Sequence, residues 1–298
     1  MNALPMDADI LPPSDDRIFK TLLTHPDAER VLIDIVSTII EHTVVSVQVR
    51  NIELPSMDTG KKAERFDVNC TIENGDQVNV EMHCSDRIEI GVKHTNFINK
   101  YVYYLTDLHS SQTSRGIAYY KLVRTYQATF SLHTVFPDRH DFVHRFSLRA
   151  EDGEQISDQI NMIIVELSKL NEILEKPVGE LTAFEMWSLF LKYASDTVHR
   201  EKINDIINMK EEIGMATALL REISRDERER AIFRSRRMFE TDMASDLLTA
   251  EERGKITGEI REREKWQALV ADKDAKLAAI EAENIRLRTE LEIRRNEQ

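Results

Sequence analysis

Two stretches of alternating residues joined by a glycine-closed turn constrain the fold of this chain more than any other feature. In the first, Phe66, Val68, Cys70 and Ile72 alternate with Arg65, Asp67, Asn69 and Thr71; in the second, Val78, Val80, Met82 and Cys84 alternate with Asn79, Glu81, His83 and Ser85. A period of two is that of a strand with one apolar face. Between them stands Glu73-Asn74-Gly75-Asp76, and a glycine in that place signals a three-residue hairpin loop, a type I turn followed by a left-handed residue. With Ile72 paired to Asp76, Thr71 faces Gln77, Asn69 faces Asn79, and Asp67 stands across from Glu81. A two-residue Asn74-Gly75 loop would instead set Asp67 against Met82 and mix the faces. The three-residue loop is therefore expected.

Like charges directly across a ladder, with Cβ atoms ~4.5–5.5 Å apart, are destabilising. A hard divalent cation compensates them, since Mg²⁺ takes one or two carboxylates and keeps its other positions for water and phosphate. Two simpler arrangements compete: a pair splayed into solvent, or one neutralised by Arg65, which this register places across from His83. A polar strand face taken alone is most often a solvated one.

Four segments in order resemble a known family: "LPPSDDRIFKTLL" at 11–23, "KAERFDV" at 62–68, "VNVEMH" at 78–83 and "YVYYLTDLHSSQTSRGIAYYKL" at 101–122. They look like the PD-(D/E)XK nuclease family transposases, also called recombination-promoting nucleases (Rpn). The glycine-punctuated "EERGKITGEIRERE" of the tail is similar to the charged helices that end such proteins. The resemblance implies an α/β, restriction-endonuclease-like core and a divalent-metal-dependent DNA endonuclease that promotes recombination, using Mg²⁺ or Mn²⁺. It makes Asp67 and Glu81 the metal ligands and, with His83, the catalytic residues, and it places Asp16 as a further acid near the site. Position 83 departs from the pattern, which has a lysine in the superfamily and a glutamine in many family members, where it positions or activates the attacking water. A histidine there would serve as a hydrogen-bonding partner, a general base, or a third metal ligand that favours Mn²⁺. The alternative is a weak or inactive nuclease fold acting as a dimeric DNA-binding or interaction protein.

Composition limits these readings. The 298 residues suffice for one substantial domain and a smaller one. With 53 acidic and 40 basic residues, the net charge of −13 excludes a protein that binds nucleic acid over its whole surface. A local basic groove remains compatible, and Arg87, Lys93, Lys100, Arg115, Lys121 and Arg124 are its candidates. Cys70 and Cys84 are not neighbours in the proposed register, so they read as reduced, buried residues. "MNALPMDADILPP" is not a secretion signal, and "VLIDIVSTII" is broken by Asp34 and too short to span a membrane. A cytoplasmic chain is expected.

Along the chain, 15–24 and 27–41 read as helices, 44–54 as a strand, 62–72 and 77–85 as the hairpin, and 92–112 as a helix whose Tyr101, Tyr104, Leu105 and Leu108 form a core stripe. Strands follow at 128–136, 144–150 and 162–170, with His133, His140 and His144 as solvated loop and strand residues. The expected domains are a nuclease-like one over 1–175, a helical region over 176–262, and a coiled-coil tail over 263–298. In the tail, Trp266, Val270, Lys273, Leu277, Ile280, Asn284, Leu287 and Leu291 recur at steps of four and three, an a/d seam. Asn284 at an a position favours a parallel pair. Lys276 to Glu281, Glu283 to Arg288 and Glu290 to Arg295 are opposite-sign pairs between chains, so a parallel homodimer is expected.

Overall fold

The computed structural model describes residues 3–50, 67–84, 92–113 and 118–296. The chain divides into two compact units, 1–230 and 231–298. The first opens with helices α1 (Asp16–Leu23) and α2 (Glu29–Ile40), followed by strands β1 (Val47–Val49), β2 (Val68–Ile72) and β3 (Gln77–His83). Helix α3 (Val92–Ser110) leads to β4 (Thr125–Ser131), β5 (Val143–Arg149) and β6 (Gln155–Glu166). After these come α4 (Asn171–Leu174), α5 (Ala183–Tyr193), α6 (Arg200–Met209) and α7 (Glu211–Arg225). The last helix, α8 (Glu227–Asn296), makes up the second unit from Ala231 onward.

The six described strands form one mixed sheet in the order β1-β2-β3-β4-β6-β5. The hairpin register is Asn69 to Asn79, Cys70 to Val78 and Thr71 to Gln77, as the turn chemistry predicts. Gly75 has φ +92° and its N–H donates to Ile72 O at 2.9 Å, while Ile72 N–H donates to Asp76 O at 3.0 Å. A left-handed residue closing a three-residue loop demands glycine there. The hairpin tip is also clipped to the start of β4. Asp76, buried, accepts from Arg124 N at 3.0 Å and from Asn74 Nδ2 at 2.9 Å, and Gln77 N–H donates to Arg124 O at 2.9 Å.

Both sheet faces are covered, giving three layers. Phe19 of α1 meets Phe130 of β4 with ring centroids 6.1 Å apart on the face shared by Val68, Cys70, Val78 and Val80. Helices α5 and α7 pack on α1 and α2 behind that face. On the other face α3 lays Phe97, Tyr101 and Leu105 against Met162 and Ile164 of β6. The tyrosine stripe is thus core, as its spacing predicts. The polar face of β3, however, is not solvated: Asn79 and Glu81 are buried beneath this layer. The reason is the parallel β3–β4 pairing, whose connection carries α3 back across the sheet.

Several boundaries move. The strand expected over 128–136 is β4, which ends at Ser131 because Val135 and Phe136 give their N–H groups to the Glu166 carboxylate. The strand expected at 162–170 is β6, which starts at Gln155. Its polar first half pairs with β5 alone, and the chain turns into a 3-10 helix at Leu167. Of the strands expected at 44–54 and 62–72, residues 51–66 lie outside the described residues. His144 is buried, not solvated. Its Nε2 lies 2.5 Å from Glu166 Oε2, which also accepts from Lys169 Nζ at 2.7 Å. His140 is exposed and His133 is half-buried. Cys70 and Cys84 are both free thiols.

Helix α5 begins with a capping box, Thr182 with Glu185. Its Trp187 is buried and donates to Asp34 Oδ2 at 2.6 Å. Leu219, Leu220 and Ile223 are buried within the first unit. No described helix is long and apolar enough to cross a membrane.

Candidate active site

The hairpin register, continued one residue beyond Val68 and Val80, brings Asp67 level with Glu81, and the hydrogen bonds agree. Asp67 N–H donates to Glu81 Oε1 at 3.1 Å, and Met82 N–H donates to Asp67 Oδ2 at 2.9 Å. Glu81 Oε1 also accepts from Asn79 Nδ2 at 3.0 Å. Each carboxylate is held by one oxygen. Asp67 Oδ1 and Glu81 Oε2 have no hydrogen bond among the described residues.

Burial governs the electrostatics. It pushes the Asp67 carboxyl up to about 7, aided by the negative charge of Glu81 and opposed by the Met82 hydrogen bond. Glu81 is raised as well, again mainly by burial, against the Asn79 hydrogen bond and the nearby Lys100 charge. Two acids forced together out of water resist ionising together. Such a pair is a recognised mark of a functional centre.

His83 continues the same face of β3. Its Nδ1 lies 3.1 Å from the Tyr101 hydroxyl, and its ring meets Phe97 edge-on at 4.8 Å. Burial and the charge of Lys100 lower its pKa to about 4. The Tyr101 hydroxyl is raised above its ordinary range by burial and by Glu81 and Asp67, so it keeps its proton. Lys100 Nζ donates to that hydroxyl at 3.5 Å and lies over the Tyr101 and Tyr104 rings at 4.8 and 5.1 Å. Where the hydroxyl gives its proton to Nδ1, the neutral imidazole carries its own proton on Nε2.

Asp16 is the first residue of α1, next to the N-cap Asp15, whose side chain accepts from Arg17 N and Ile18 N. Its charge acts on Asp67 and His83, so it lies beside the pair. Among the described residues, though, no three His, Cys, Asp or Glu side chains converge closely enough to hold a cation. Asp16 and His83 are not clustered with Asp67 and Glu81 there. The basic candidates separate too. Lys100 stands at the site, whereas Arg124 is committed to Asp158 at 2.6 Å. Arg87, Arg115 and the Lys93 side chain lie outside the described residues.

Sequence reasoning missed Lys20, whose charge reaches Glu81, and the buried amides Asn79 and Gln127 beside it. The signal for the amides was present: Gln127 interrupts "YQATF", a run otherwise fit for a buried strand.

A family model described as PD-(D/E)XK nuclease family transposase matches residues 13–250. The chain belongs to that family. No curated protein and no solved structure matches it. Members of the PD-(D/E)XK group are typically nucleases that use divalent metals, and the six-stranded mixed sheet with helices on both faces is consistent with that fold. Two facing carboxylates, each with one oxygen uncommitted among the described residues, fit a hard cation that keeps most of its positions for water and substrate.

Proposed function

We propose that this PD-(D/E)XK family protein is a divalent-metal-dependent DNA endonuclease that hydrolyses phosphodiester bonds and thereby promotes recombination. The observation that supports it best is the facing pair of half-buried Asp67 and buried Glu81, each with one oxygen that accepts no hydrogen bond among the described residues. Stability alone disfavours such a pair, and a cation between the acids relieves it. Asp67 Oδ1 and Glu81 Oε2 are the atoms that would hold Mg²⁺ or Mn²⁺. The bound cation would supply Lewis acidity at the phosphoryl oxygens and a water of lowered pKa.

The chain's own groups do the rest. Glu81 on β3 and Asp67 directly before β2, tied to each other and to Met82 by hydrogen bonds, are held in place as in-line attack requires. With its proton on Nε2, His83 acts as a hydrogen-bond donor to the attacking water or to a phosphate oxygen, the part a glutamine amide plays, and not as the base. Lys100 brings a positive charge beside the acids. Asp16 contributes by its charge and not as a ligand.

In the tail, Trp266, Val270, Leu277, Ile280, Leu287 and Leu291 are all exposed on a single chain. A second copy in parallel would cover this a/d seam over 263–298, and opposite-sign g-to-e pairs would set its orientation. A homodimer would bring two sites to one duplex.

Cleavage of supercoiled plasmid by the purified protein with Mg²⁺, Mn²⁺ or EDTA tests the reading. Metal-dependent nicking or linearisation is expected, lost in Asp67→Ala and Glu81→Ala, retained in His83→Gln and lost in His83→Leu. Wild-type protein that cuts in EDTA, or acid variants that still cut, would overturn it. The second reading, a weak or inactive nuclease fold serving as a dimeric DNA-binding protein, draws on the histidine at position 83. It is favoured if no variant cleaves while the duplex is still bound.

A further inference from the structure

Beside the acidic pair runs a buried row of amides that the reaction as described leaves unused. Asn79 on β3 donates both of its Nδ2 hydrogens, one to Glu81 Oε1 at 3.0 Å and one to Gln127 Oε1 at 2.8 Å. Gln127 Nε2 donates onward to Thr129 Oγ1 at 3.2 Å. Asn79, Gln127 and Thr129 are fully buried. The sheet register makes this possible: Asn79 lies level with Gln127, and Glu81 with Thr129.

The carbonyl side of Asn79 is different, because its buried Oδ1 has no hydrogen-bond partner among the described residues. An orphaned buried acceptor is destabilising, whereas replacing both partners of a buried hydrogen bond by apolar groups of similar shape can be nearly neutral or stabilising. Selection for stability alone would put apolar residues at 79 and 127, as at Val78, Val80 and Ala128 around them. The arrangement instead serves the donor side. Glu81 Oε1 is gripped from two directions, by Asp67 N–H and by Asn79, which fixes the carboxylate while Oε2 accepts no hydrogen bond among the described residues. Gln127 fixes which way the Asn79 amide faces. Were its acceptor removed, the second Nδ2 hydrogen would lose its anchor and the amide would be held by Glu81 alone.

We propose that Asn79, braced by Gln127, is a positioning residue that orients Glu81 to receive a divalent cation. This rests on the reading of Asp67 and Glu81 as cation ligands. Partners of this kind behind a metal ligand typically change affinity by about 10–100-fold.

Mn²⁺ binding to the full chain, followed by electron paramagnetic resonance at one fixed pH, gives the first readout, and urea unfolding in EDTA the second. Asn79→Leu and Gln127→Met should each weaken Mn²⁺ binding by about 10–100-fold. The double variant should weaken it no further, because the two residues act as one device. The double variant's urea midpoint in EDTA should equal or exceed that of the wild type. If Asn79→Leu alone fails to fold because it strands Gln127 Oε1, the double variant carries the test. Mn²⁺ affinity within about threefold of wild type in the double variant, with or without a lowered midpoint, overturns the proposal and makes the network a purely structural one. A wild type that binds no Mn²⁺, or binds it equally well as Asp67→Ala, overturns the underlying cation reading and this proposal together.

Discussion

Asp67→Asn is expected to stabilise the metal-free protein, by an amount that depends on pH. Burial and the facing Glu81 carry the Asp67 carboxyl from its ordinary 3.8 to about 7 in the folded chain. At about 1.4 kcal/mol per pH unit, that difference is worth up to about 4 kcal/mol. The sign follows from linkage. Below pH 4 the acid is protonated in both states and contributes nothing. As pH rises toward 7 the unfolded chain releases its proton while the folded chain keeps it, so folding is progressively disfavoured. Above 7 both states are ionised and the penalty is constant. Asparagine imitates the protonated acid and can still accept the Met82 N–H now bound by Oδ2 at 2.9 Å. Urea unfolding in EDTA at pH 5, 6, 7 and 8, extrapolated to water, should show a gap between variant and wild type that opens with pH and levels off above 7. Saturating Mg²⁺ should then narrow it by stabilising the wild type alone. An Asn variant no more stable than wild type at pH 8, or a gap that ignores pH, would refute the reasoning.

Two further outcomes follow from other parts of the molecule. Glu166 accepts from Val135 N, Phe136 N, His144 Nε2 and Lys169 Nζ in a fully buried setting. Glu166→Gln can keep the loop N–H groups on its amide oxygen but sets an amide NH2 against Lys169 and His144, and should lower unfolding stability by about 3 kcal/mol or more, read from the shift in urea midpoint. In the tail, truncation before Arg263 should convert a dimer to a monomer in light scattering, and Asn284→Leu should raise the tail's melting temperature while admitting other oligomeric states.

The hairpin was legible from local rules. Alternation grouped Asp67 with Asn69 and Glu81 with His83, and Gly75 set the loop length, so the facing acids could be read from the residues alone. Alternation says which side chains share a face but not what covers it. The cover over Glu81 comes from α3, so its burial was hidden in the connection between strands and not in the strand. The same gap concealed Asn79 and Gln127, since an amide in a strand reads as solvated until its neighbours on both sides are known. His144 was misread for a related reason: its partner Glu166 lies 22 residues away at the end of β6. The polar half of β6 was missed because its only partner is the edge strand β5, and exposed ladder residues need no apolar pattern.

The clip at Asp76 has a consequence for how this chain can vary. Both β2 and β4 are counted from that tip, the first through Ile72 and the second through Arg124. Asp67 meets Glu81 because the residue counts on the two arms agree, and Gln127 meets Asn79 for the same reason. One residue gained or lost between 67 and 81 would rotate an acid to the opposite face. The connection from β4 to β5 is counted only as far as Phe136, where Glu166 holds the Val135 and Phe136 N–H groups. Lineages of this chain should therefore tolerate length changes in the exposed stretch 137–141 while the hairpin keeps a fixed ruler.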